Sequence, residues 1–114
     1  MGFEVLSVFD TPQQISSETT PDLLAQLLFQ HLPRSQEWVS IPDEGDPTGE
    51  HWTPRWTSIS EALAEIDRFL DSPAARQMEI PGFTTDELTD ELRAFRDELQ
   101  AASAHTTRFH LSVY

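Results

Sequence analysis

The 114-residue chain predicts a small single-domain α+β fold. We expect a sheet of three to four mainly antiparallel strands with three helices, in the order β-α-β-(β)-α-α-β, the first and last strands paired. Three observations carry this. Apolar strand-like runs stand at both ends, Phe3–Phe9 and Arg108–Tyr114. Three segments between them repeat apolar residues at helical spacing, each behind a capping residue. Turn residues separate the elements, with no internal repeat and no linker.

The first strand places Phe3, Val5 and Phe9 on one side and Leu6 and Val8 on the other. A run apolar on both faces predicts an interior strand. Thr11 to Thr19 is polar and reads as a loop. Thr20 and Pro21 then open a helix as N-cap and first residue. Leu23, Leu24, Leu27, Leu28, His31 and Leu32 give it a wide apolar face, Pro33 ends it, and its leucine content predicts a central position. Glu37–Ile41 reads as a short strand with Val39 and Ile41 on one face, and His51–Thr57 as its hairpin partner, confined to an edge by Pro54.

Ser58-Ile59-Ser60-Glu61 matches a capping box, followed by Ile59, Ala62, Leu63, Ile66, Phe69 and Leu70 on one helical face. Asp71-Ser72-Pro73 stops that helix and starts one further turn, and Pro81-Gly82 is a break. Thr84-Thr85-Asp86-Glu87 is a second capping box. Its helix extends to Ala104, with Leu88, Leu92, Phe95, Leu99 and Ala102 as the apolar stripe. In the last strand Phe109, Leu111 and Val113 face inward, and Arg108, His110 and Ser112 face water.

Charge bounds the function. Twenty acidic residues face seven Arg and no Lys, for a formal net charge of -13. Such a surface repels nucleic acid and anionic membrane and attracts basic proteins. The first 33 residues hold no Arg, so no basic patch exists for direct nucleic-acid binding. Acidity with few lysines also fits salt adaptation. Cysteine is absent, which excludes disulfides, a thiol nucleophile and Cys-ligated zinc, and favours a cytoplasmic setting. The N-terminus lacks a basic region and a long apolar run, so neither a signal peptide nor a membrane span of about 18 apolar residues is expected.

The candidate site follows the acids. At about 100° per residue, with the apolar stripe of the third helix at 0°, Asp86, Asp90 and Asp97 lie near 180° and Glu87, Glu91 and Glu98 near 280°. Six acids thus share one outward swath, with Arg93 placed to pair Asp90 and Asp97. Asp43, Glu44, Asp46 and Glu50 make a second acidic segment in a turn-rich loop. Its spacing does not match a calcium loop, and no metal or cofactor is expected. Trp38, Trp52 and Trp56 flank that loop. Trp38 reads as core, and Trp52 as a surface aromatic ringed by charge. The expected partner contacts are Asp86, Asp90, Glu91, Asp97 and Glu98, with Asp43, Glu44, Asp46 and Trp52.

No His-Glu-x-x-His, Gly-x-Ser-x-Gly or phosphate-loop motif occurs, and His31, His51, His105 and His110 show no ligand spacing. His31, on a leucine face, reads as a satisfied core residue. A non-enzymatic role is expected: an inhibitory or neutralising protein that blocks a basic partner, such as a toxin, a nuclease or another nucleic-acid-binding enzyme. Immunity proteins of bacterial toxins and phage anti-defence proteins share this profile of small size, acidity and absent motifs. The alternatives are a non-inhibitory adaptor, chaperone or assembly subunit using an edge strand or the Leu-rich helix, a homodimer, and a small enzyme pairing His51 or His110 with a buried carboxylate.

Overall fold

The apolar runs near the two chain ends form the longest strands. In the computed structural model, which describes residues 4–42, 45, 47–48 and 51–113, the order is β1 (Val5–Phe9), α1 (Pro21–His31), a 3-10 turn (Pro33–Trp38), β2 (Ile41–Pro42), β3 (Trp52–Thr53), β4 (Thr57–Ser58), α2 (Ile59–Leu70), a second 3-10 turn (Pro73–Gln77), α3 (Thr85–Ala102) and β5 (Arg108–Val113). β1 and β5 pair antiparallel from Val5↔Val113 to Phe9↔Phe109, as expected.

The interior strand is β5, not β1. The sheet order is β1-β5-β4, with β4 pairing antiparallel to the start of β5. Val39 bridges Leu111 in parallel, and the Ser40 N–H donates to the Leu111 carbonyl at 2.8 Å. β5 is therefore hydrogen-bonded along both edges, whereas β1 has one strand neighbour. Its second apolar face is only partly covered, and Leu6 is 43% exposed.

The Glu37–Ile41 strand shrinks to Ile41–Pro42, which pairs with Trp52–Thr53 in a separate two-stranded hairpin. Pro33 ends α1 but also starts a 3-10 turn that takes residues 33–38. The Ser35 hydroxyl holds that turn on the end of α1, donating to the Leu32 and Leu28 carbonyls at 2.6 and 3.1 Å. Turned back in this way, Trp38 packs its ring against Phe95 and Phe109 instead of extending along a strand.

The helix starts follow their caps. The Ser58 hydroxyl accepts the Glu61 N–H at 3.4 Å. The box at α3 is complete: Thr84 Oγ1 accepts from the Glu87 N–H at 3.1 Å, and the Glu87 carboxylate accepts the Thr84 N–H at 3.0 Å. Just before it, Gly82 sits at φ +92° after Pro81, with the Phe83 N–H bonded to the Ile80 carbonyl. This is the type II turn position that only a residue without Cβ adopts freely.

All five stripe residues of α3 are fully buried. α3, rather than α1, is the central helix, since it packs against both α1 and α2. Phe95 meets Phe109 at a ring distance of 6.4 Å, which seats α3 on the sheet face carrying Val5, Ser7, Phe9 and Leu111. Among the described residues, no helix is long and apolar enough to cross a membrane.

Candidate functional site

The acids of α3 divide into two populations. Asp86, Asp90 and Asp97 are exposed, as is Glu87 at the capping box. The three aspartates lie on the outer ridge, opposite Phe95, and span about 16 Å at the helical rise. Arg93 interrupts the ridge but, among the described residues, forms no ion pair with Asp90 or Asp97; Asp97 lies 3.7 Å from Arg96 instead. Both partners expected of Arg93 are solvated side chains, for which an exposed pairing gains little.

Glu91 and Glu98 correct the reading of a six-acid outward face. They are 9% and 6% exposed. The segment between β1 and α1, which the sequence marks only as a polar loop, runs along their flank of α3. Glu91 accepts the Thr20 N–H. Glu98 accepts the Ser17 hydroxyl at 3.2 Å. Burial pushes the Glu98 carboxyl up to about 7, with the Ser17 and Ser7 hydroxyls opposing the shift. Glu91 is raised too, by burial first, then countered by the Thr20 N–H and reinforced by Asp22. The Thr20 hydroxyl makes no cap bond to α1, while its N–H bonds across to α3.

Trp52 is 45% exposed on β3, as expected of a surface aromatic. Asp43, Glu44 and Asp46, beside it in the sequence, lie outside the described residues. Trp38 is core. Trp56 is half-buried, edge-on to the His110 ring at 5.0 Å, with the Arg108 guanidinium 4.8 Å from its ring centre. Arg108 is itself held by Asp10 at 2.6 Å.

That cluster overturns the wet-face assignment of His110, which is 8% exposed. Burial lowers its pKa, opposed by the Leu111 backbone, and its Nδ1 has no well-formed hydrogen bond. The register puts His110 beside Val8, on the sheet face opposite Ser7 and therefore opposite Glu98. The structure thus does not bring His110 to the buried carboxylates. His31 is half-buried, and its Nε2 accepts the Glu79 N–H at 3.4 Å. Among the described residues no group of three His, Asp or Glu is placed to hold a metal ion.

One feature had no sequence signal. A cleft of about 280 Å³ opens where Arg34, Trp38, Arg55, Trp56, Glu61 and Glu65 converge from the first 3-10 turn, the approach to β4 and α2. Its contributors are far apart in the chain and follow no spacing rule. Arg34 and Arg55 make no ion pair among the described residues, so the cleft is of mixed charge. No protein-family model, curated protein or solved structure matches the chain.

Proposed function

We propose that the protein is a small acidic binding module, acting in the cytoplasm, that neutralises a basic protein by surface complementarity, in the manner of toxin-immunity or phage anti-defence proteins. The observation that supports it best is the exposed line of Asp86, Asp90 and Asp97 on a helix fixed from beneath by five fully buried side chains. A rigid row of like charges needs little ordering on association, and it steers an oppositely charged partner at a rate that salt suppresses. Trp52 on the hairpin is the second contact in this reading, together with Asp43, Glu44 and Asp46 of the acidic sequence segment that precedes it. Glu91 and Glu98, being buried, are not first contacts on the folded surface. The work is binding rather than catalysis, on a toxin, nuclease or similar nucleic-acid-binding enzyme.

A pull-down from the source lysate at about 50 mM and about 500 mM salt tests this. We expect a basic partner retained at low salt and lost at high salt; recovery of none at low salt overturns the proposal. With that partner in hand, Asp90→Arg with Asp97→Arg is expected to weaken binding by roughly ten- to a hundredfold, chiefly through slower association. Unchanged affinity would remove α3 from the interface. The adaptor reading has weaker support, since the exposed large apolar residues Leu6, Ile41, Trp52 and Phe83 are distributed over β1, the hairpin and the 80–83 turn.

A further inference from the structure

Two buried carboxylates on one helix are costly unless something is gained from them. Among the described residues, neither Glu91 nor Glu98 has a basic partner. The recorded hydrogen bonds that tie segment 12–20 to anything beyond its own neighbours and α1 end on these two carboxylates. Ile15 adds an apolar contact to the core. The segment is thus a strap across α3 with two polar fastenings, one at each end of its second half.

The groups facing the fastenings are few. Around Glu98 stand Ser17 of the strap and Ser7 of β1; around Glu91 stand the Thr20 N–H and, on α1, Asp22. The Ser7 hydroxyl is buried next to Glu98 but makes no well-formed hydrogen bond. A carboxylate can only accept, whereas a carboxylic acid has a proton to donate, and a hydroxyl can accept it: Ser17 Oγ does so from the strap itself, with Ser7 Oγ of β1 as a second acceptor at hand. We propose that strap 12–20 is latched to α3 by a proton on Glu98, so that it is closed when Glu98 is protonated and released as that proton is lost.

The sign follows from burial. A carboxyl at about 7 in the closed state, against 4.5 when solvated, favours closure fully below 4.5 and loses that contribution as pH rises through 7. Glu91 acts in the same direction. Asp22 beside it adds repulsion once both are charged. Release would return Glu91 and Glu98 to the acidic ridge and restore the six-acid face; this consequence rests on the binding function proposed above, whereas the latch does not.

The test uses the free protein, without any partner. Amide hydrogen exchange of residues 13–20, corrected for intrinsic pH dependence, is compared at pH 5 and pH 8. We expect strap opening to increase by about 10- to 100-fold. Glu98→Gln, which keeps the shape but cannot ionise, is expected to remove most of that change, leaving only the part that Glu91 contributes in the same direction. The Glu98 side-chain carboxyl, followed by carbon-13 resonance in the wild-type protein, is expected to titrate well above 4.5. A Glu98 titrating at its ordinary value, or an unaltered pH response in Glu98→Gln, overturns the latch.

Discussion

Asp90 and Glu91 are adjacent acids on the same helix with opposite environments. Asp90 points to solvent; Glu91 is covered and bonded to a backbone N–H 71 residues away. Helical spacing ranks positions around an axis but does not say how wide the covered arc is. That width depends on a strap whose path no periodicity encodes. The same logic separates His110 from the wet face expected of it, because Trp56 returns from a distant loop to cover it. Residues at the centre of the stripe carry no such ambiguity. Phe95, fully buried against Trp38 and Phe109, is the core position where truncation is expected to cost most. Phe95→Ala should lose about 3–5 kcal/mol by urea denaturation, a loss of under about 1 kcal/mol being incompatible with this packing.

Helices were legible to within a residue or two because their signals are local. A cap, a breaker and an apolar stripe lie within one stretch of chain, and α1, α2 and α3 begin where those residues stand. Thr84→Ala is expected to remove the Oγ1 half of the α3 box, leaving the bond from the residue-84 N–H to Glu87, and to lower stability by about 1 kcal/mol, measured by thermal or denaturant melting. Ser58→Ala should cost less, since the one recorded bond of its hydroxyl to the helix backbone is a long one, at 3.4 Å. Strands were legible in existence but not in rank. The apolar faces of β1 suggested an interior position that β5 occupies, because sheet order is settled by pairing across the whole chain. The short middle strands fared worst: Pro33 and Ser35 made a 3-10 turn from part of a segment whose alternation looked extended.

At the scale of the molecule, a charge of -13 works against compactness, and acid or salt relieves it. The raised carboxyl of Glu98 adds to that trend, while the lowered pKa of His110 opposes it, since a buried neutral imidazole must charge as pH falls below its ordinary 6.5. Thermal stability is therefore expected to rise from pH 8 to about pH 6.5 and to flatten or turn over further below. In Glu98→Gln the first part of that rise should shrink; a melting temperature that falls steadily from pH 8 to pH 6.5 in the wild type would contradict the assignment. Added salt should raise the melting temperature at pH 8 more than at pH 5.

By itself the sequence determined the α+β class, the pairing of the first and last strands, the three helices with their caps, and the core stripe of α3. The class, the helices and the stripe are written in short-range pattern or in composition, and the pairing follows from the two ends being the strongest strand-forming runs. The tertiary structure alone decided that α3 is the central helix, that β5 is the central strand, and that two of the acids on α3 are buried under a strap from the other end of the chain. Those outcomes depend on which segments meet. Contacts between residues 71 and 81 positions apart leave no period in the sequence, only a polar loop and a run of acids whose relation appears once the chain is folded.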